Sequence, residues 1–272
     1  MRDKFVTTEN AKRFIQGVSK LNERGAEEAC LMVVDGIPGL GKTHMVHWWA
    51  TQNGCVYLRA KKEWTANWMM AELLETIGVV PSNSYKAMYR QALEKLATES
   101  EMAAHNNETY GVVIDEIDHI ARRESLLESL RDLSYMLEIP FIFVGMGRVR
   151  HSLTRFPQIA SRVGQFVEFQ PVQLEDVAKM VKELCETEVK DDLIAYLHKI
   201  SNGLVREIKE GINSIERFGK TNDGPIGLNE MNGQVLLNDR KTGRPIGESV
   251  TSCVGPLIIK TLLSELLVRM PA

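Results

Sequence analysis

The stretch Gly36-Ile37-Pro38-Gly39-Leu40-Gly41-Lys42-Thr43 decides how the rest of this chain is read. It follows the apolar run Cys30-Leu31-Met32-Val33-Val34 and leads into His44-Met45-Val46-His47-Trp48-Trp49-Ala50, which continues as a helix. Strand, glycine-rich loop and helix with the spacing G-x-x-x-x-G-K-[ST] make a phosphate-binding loop. The glycines let successive backbone N–H groups turn inward around a phosphate, and the helix aims its positive dipole end at the same place. Lys42 has the length to reach the β- and γ-phosphates, and the Thr43 hydroxyl suits Mg²⁺. ATP with Mg²⁺ is the expected ligand pair, held by Gly36, Ile37, Pro38, Gly39, Leu40, Gly41, Lys42 and Thr43.

A second motif fits the first. Val112-Val113-Ile114-Asp115-Glu116 is a hydrophobic strand ending in two adjacent carboxylates. In a P-loop protein the first acid, Asp115, holds Mg²⁺ through water. The second, Glu116, is free of the metal and placed to polarise an attacking water. That pair argues for an ATPase and against a small-molecule kinase.

Outward from these motifs the chain alternates strand and helix. A helix over 7–24, capped by Thr8 or Thr7, carries Ala11, Phe14, Ile15, Val18 and Leu21 at helical spacing. Strands are expected at 30–35, 55–58, 110–114, 141–144 and 165–169, and helices at 63–76, 84–99 and 124–137, with a loop over 104–108. From 174 to 218 the pattern is all helical (174–186, 191–200, 204–218). The fold class is therefore α/β: a parallel five-stranded sheet with helices on both faces, followed by a helical lid. The expected divisions are 1–172, 173–219 and a tail over 220–272. Within the tail, 220–250 reads as a small hairpin or a partly ordered linker, and 257–270 as a helix.

Bulk properties narrow the setting. The 272 residues are 44% hydrophobic and 25% charged, with a formal net charge of −3, so no global basic field announces a nucleic-acid partner. The four cysteines are scattered, without metal-ligand spacing. Met1-Arg2-Asp3-Lys4-Phe5 lacks the apolar core of a secretory leader, and no apolar run approaches membrane-spanning length. A cytoplasmic protein without membrane partners is expected.

Loop, VVIDE strand, a fourth strand, an arginine-bearing segment and a three-helix lid together resemble the AAA+ ATPases. Phe5-Val6-Thr7-Thr8, Phe143-Val144-Gly145-Met146 and Ser161-Arg162-Val163 are similar to the transposition ATPases, the phage Mu B protein and its TnsC relatives. The resemblance covers residues 5–218. It implies Walker A at Lys42 and Thr43, Walker B at Asp115 and Glu116, and Val6 and His44 beside the nucleotide. It also implies an arginine finger at Arg162, offered to a neighbouring subunit with Arg155 as rival, and a sensor-2 arginine at Arg206. The implied catalytic set is Lys42, Glu116, Arg162 and Arg206. A guanidinium suits both arginine roles because it stays charged and binds phosphate oxygens in bidentate fashion.

Two departures stand out. The sensor-1 position at the end of strand four carries Gly145-Met146-Gly147 instead of a polar side chain, which points to slow hydrolysis. The loop begins at Gly36, so the N-terminal helical DNA-binding domain of the phage Mu B protein is expected to be absent.

The resemblance further implies a ring or filament of identical subunits, bound to DNA and serving a transposase. The basic cluster Arg59-Ala60-Lys61-Lys62 is the corresponding DNA candidate, read through Lys61 and Lys62, with Arg122 and Arg123 as a second pair; both also read as solvated turns. Trp48, Trp49, Trp64 and Trp68 are expected in the core instead of stacked on bases, and His44 and His47 to pack or cap near the loop helix. A helicase loader of the DnaC and IstB kind, and a nucleotide-gated protein switch that never touches DNA, remain alternatives.

Overall fold

The structure, a computed structural model, describes residues 1–246 except Arg148, Asp223 and Lys241; the helix expected at 257–270 lies outside them. By internal packing the chain forms two compact units, one of Thr7–Gln170 and one of Met1–Val6 with the residues from Pro171 onward.

The first unit opens with α1 (Glu9–Asn22), capped by the Thr8 hydroxyl, which accepts from the Ala11 amide at 3.4 Å. Its inner stripe is Ala11, Phe14, Val18 and Leu21, whereas Ile15 faces outward. Then follow β1 (Leu31–Asp35), α2 (Lys42–Gln52), β2 (Val56–Arg59), α3 (Ala66–Thr76), α4 (Tyr85–His105), β3 (Val112–Asp115), a single 3₁₀ turn (Ile117–His119), α5 (Glu124–Leu137), β4 (Phe141–Val144), the short α6 (Val149–Leu153) and α7 (Pro157–Ala160), and β5 (Val163–Glu168). The strands make one parallel sheet in the order β2-β3-β4-β1-β5. The side chains of β1, β3 and β4 are buried almost throughout, as strands covered on both faces must be.

Besides Ile15, two details differ from the sequence expectation. The helix expected to stop at 99 continues to His105, because Ala103 still buries a face and Ala is the best helix former. The chain leaves it only at Asn106 and Asn107, the latter at φ 56°. α6 and α7 were not anticipated; each is little more than one turn, too short to show a period.

All five strands run the same way, so the loops after β1, β2, β3 and β4 gather at one edge of the sheet. That carboxyl edge is where open α/β sheets bind ligands. The phosphate-loop motif, the Asp-Glu pair, the Gly145–Gly147 segment and the 59–62 basic cluster are therefore brought to one side by topology alone.

The second unit holds α8 (Leu174–Leu184), α9 (Asp191–Ser201) and α10 (Val205–Gly219) around Val177, Met180, Leu197, Ile208, Ile212 and Ile215. Of the two readings of 220–250, the hairpin is the one found: β6 (Leu237–Asn238) pairs antiparallel with β7 (Pro245–Ile246), and Leu236 and Leu237 join the same core.

Candidate functional site

The loop has the backbone its glycines require. Gly36, Gly39 and Gly41 stand at φ 147°, 92° and 85°. A Cβ on Gly36 would lie 2.7 Å from the Phe169 carbonyl oxygen, so the position excludes a side chain by space as well as by dihedral. Gly41 is the N-cap of α2, and no side chain caps that end. Lys42, the first helical residue, is only 7% exposed. Its ammonium is drawn into the loop, donating to the carbonyl oxygens of Gly36 at 2.5 Å and Ile37 at 2.9 Å. Thr43 and His44 follow, both exposed.

Across the sheet edge, Asp115 is 2% exposed and held by two donors. The Tyr57 hydroxyl donates to its Oδ2 at 2.7 Å, and the Glu116 amide to its Oδ1 at 2.8 Å. Tyr57 stands on β2 opposite Val113, a partner the sequence alone did not reveal. Burial, and then the hydrogen bond to Asp115, push the Tyr57 phenol well above its usual range, so it stays a donor. Glu116 is left-handed (φ 53°), which throws its side chain off the strand line. It forms an ion pair with Arg59, the last residue of β2. That hydrogen bond lowers the Glu116 carboxyl below its ordinary value. Arg59 thus holds the residue expected to act as base.

Asp35, at the end of β1, ties the loop to the strand-four end. Its Oδ1 accepts from the amides of Gly36, at 2.8 Å, and Gly147; its Oδ2 accepts from the Arg150 amide at 3.4 Å. Asp118, on the 3₁₀ turn, accepts from the Met146 amide at 2.7 Å. Neither acid belonged to a recognisable motif, since each serves backbone brought near by the sheet order.

Arg162 lies at the opposite edge. It immediately precedes β5, whose Val163 pairs with Leu31, four residues before the β1 end that carries the loop. At ~3.3 Å per residue the two edges are roughly 13 Å apart. There it pairs with Glu28 at 3.4 Å and sits over the Tyr135 ring at 5.3 Å. Arg155 is more exposed and follows α6. In the second unit, Arg206 is exposed in the first turn of α10, and Val6 packs on that unit's core.

The four basic candidates come together. Lys61, Lys62 and Arg122 are exposed, whereas the Arg123 guanidinium donates to the carbonyl oxygens of Lys62, at 3.2 Å, and Trp64. Arg123 therefore braces the 59–64 loop onto the segment after β3. Lys61 reaches Glu72 at 2.7 Å and lies 5.3 Å from the Trp68 ring centre. Trp49 and Trp64 are buried as expected, but Trp68 is 44% exposed. The inner face of α3 is taken by Met69, Met70, Leu73 and Leu74, leaving Trp68 on the outer side. His47 and His44 are exposed on α2, and the His47 ring meets Tyr57 edge-on at 5.0 Å.

Comparison with known proteins agrees with this architecture. Residues 26–153, somewhat under half of the chain, match the family model described as an AAA domain. Among curated proteins none matches. The ORC2 protein of Aeropyrum pernix, in ADPNP-ADP complexes, superposes with a TM-score of 0.54 at 15% identity, over 81% of this chain and 66% of that one. The ORC1 protein of the same organism, in complex with DNA, gives 0.53 at 15% over 96% and 68%. RuvB of Thermotoga maritima gives 0.54 at 18% over 84% and 68%. The fold is the AAA+ P-loop NTPase fold. The chain spans just under two thirds of the first of these structures, and at such identities the likeness concerns fold alone.

An AAA+ fold implies nucleotide binding, and the residues present fit a nucleotide with its metal. Three glycines at positive φ shape the loop, Lys42 sets a cation against its carbonyls, and Thr43 presents a hydroxyl. Asp115, fixed by two donors, is the oxygen ligand type that Mg²⁺ takes.

Proposed function

We propose that this protein is an ATPase that binds DNA in its ATP-bound, oligomeric state and selects or delivers target DNA to a transposase. The observation that supports it best is one of adjacency. The exposed basic group Lys61, Lys62 and Arg122 belongs to the same two strand ends that carry Arg59 and Glu116. A surface suited to phosphate backbone and the catalytic carboxylate thus share the ends of two paired strands.

In this reading Gly36 to Thr43, with His44, Val6 and Arg206, hold ATP, and Thr43 and Asp115 hold Mg²⁺. The metal, when bound, neutralises charge building on the β- and γ-phosphate oxygens. Glu116, released from Arg59, takes the proton of the water that attacks the γ-phosphorus while the bond to the bridging oxygen breaks. Lys42 stabilises the charge that develops. Arg162, at the edge remote from its own loop, serves a neighbouring copy's nucleotide. Arg162→Ala should then lower hydrolysis only in assembled protein. Mixed with Glu116→Gln subunits it should regain part of the lost rate, because each lacks a different half of a composite site. Full activity of Arg162→Ala alone transfers the role to Arg155.

The DNA half is tested by changing Lys61 and Lys62 to Ala together. The Lys61–Glu72 pair is exposed, worth at most about 1 kcal/mol, so its loss leaves the fold intact. Affinity for duplex DNA with ATP should fall equally for all sequences. The slope of log affinity against log salt should flatten by about one unit per lost phosphate contact. Unchanged affinity and slope would turn attention to Arg122, and failure there to the protein-switch reading. The ORC1 neighbour was solved with DNA, which suits the DNA half without choosing between a transposase and a replicative partner. Co-purification with a transposase or with a helicase decides that. A cytoplasmic location belongs to the same proposal; among the described residues no helix is long and apolar enough to cross a membrane.

A further inference from the structure

The end of β4 borders the catalytic edge, and Gly145 brings no side chain to it. Nor does it have room for one. A Cβ built there would lie 2.0 Å from Val149 Cγ2 and 2.7 Å from Asp118 Oδ2. Packing has closed the position, and one of the three side chains that close it, beside Val149 and Ile117, is a carboxylate. Asp118 reaches this spot from the neighbouring strand. After β3 the left-handed Glu116 turns the chain, and the 3₁₀ turn Ile117–His119 carries Asp118 back across the sheet edge toward β4. Its Oδ2 accepts from Met146 N at 2.7 Å. Asp118 is half-buried, and burial is the main cause that raises its carboxyl above the ordinary value; Asp35 pushes the same way and Lys42 the other. Asp35, at the end of the strand that carries the loop, accepts from the Gly147 amide next to Met146, so the two carboxylates hold adjacent residues.

We propose that Asp118 is a positioning residue for ATP hydrolysis, supplying from the turn after β3 the polar group that the end of β4 lacks. Its carboxylate holds the Met146 amide, as Asp35 holds the amides of Gly147 and Arg150. Its negative charge orders the water that Glu116 deprotonates. This rests on the ATPase reading, and it changes one expectation: the missing side chain at 145 does not by itself make hydrolysis slow.

The test uses the full chain and compares wild type, Glu116→Gln, Asp118→Asn and Asp118→Ser in steady-state ATP hydrolysis, nucleotide titration and thermal melting. Asn has the shape of Asp and keeps an acceptor for the Met146 amide, so a merely structural role predicts wild-type kcat. The proposal predicts a kcat at least tenfold lower, with KM for ATP within about twofold and an unchanged melting temperature. Ser, smaller and uncharged, should show the same loss and reads the same quantity if the Asn variant folds poorly. Wild-type kcat in Asp118→Asn, or a loss confined to KM, overturns the proposal; so does failure of both variants to fold, which would make the residue structural. If wild type itself does not hydrolyse ATP, the ATPase reading fails. If wild type is active, Glu116→Gln is inactive and Asp118→Asn is active, only the inference about Asp118 fails.

Discussion

Glu116→Gln should reduce ATP turnover by about 10²- to 10⁴-fold, the range set by loss of a general base, while ATP and Mg²⁺ stay bound. The side chain stands at the end of β3 in a left-handed backbone, next to an aspartate fixed by two donors. Gln has nearly the same shape, so Asp115 and the strand end are undisturbed and the nucleotide remains; what disappears is the proton acceptor. Arg59 gives the prediction a second arm. Its hydrogen bond lowers the Glu116 carboxyl, so the proposed base is charged at neutral pH but engaged. The sign follows from that direction. In wild type the acid limb of kcat/KM governed by this group lies below the ordinary Glu value of about 4.3, and activity through it is lost only as pH falls past that depressed value. Arg59→Ala should move the limb up toward the ordinary value and raise turnover. Phosphate release measured across pH checks both arms. Glu116→Gln turnover within threefold of wild type would place the base elsewhere.

The motifs that predict this result were legible because they are local. G-x-x-x-x-G-K-T and V-V-I-D-E carry their chemistry within a few residues, and the strands before them are continuous apolar runs. What surrounds them was not legible, because it depends on register. Arg59 meets Glu116, and Tyr57 meets Asp115, only because β2 lies beside β3 with Tyr57 opposite Val113 and Arg59 opposite Asp115. No spacing along the chain encodes that pairing. The same holds for Gly145. Its lack of a side chain was visible in the sequence, but the carboxylate of Asp118 beside it was not, since the two meet across neighbouring strand ends. Trp68 was misjudged for a different reason. An aromatic on an amphipathic helix is usually inside, but four large side chains already fill the inner face of α3. Residues 59–64 show both limits together. The basic run Arg59–Lys62 was visible in the sequence, while the bracing by Arg123 and the link to Glu72 required the fold.

Lys42→Ala should abolish ATP binding in the working range, and Lys42→Met should do the same while melting like wild type. Lys42 is almost fully buried with its ammonium on the carbonyl oxygens of Gly36 and Ile37. Two jobs are therefore possible for it: bracing the loop, and meeting phosphate. Truncation to Ala removes both the charge and the buried stem, so a loss of binding in that variant alone would not separate them. Met keeps most of the stem's volume and apolar packing but cannot donate. If the charge serves phosphates, both variants lose at least two charge-assisted hydrogen bonds, at roughly 1.5 kcal/mol each, which corresponds to about a hundredfold or more in Kd. The sheet contributes nothing to this difference, since β1 and its neighbours keep their burial and register in either variant. Ala should melt a few degrees lower than Met, because only Ala leaves a gap beneath the loop. Titration with a fluorescent ATP analogue beside thermal melting separates the outcomes. Binding at wild-type strength in Lys42→Met would assign Lys42 to the loop's own architecture and remove the phosphate contact on which the nucleotide site is built.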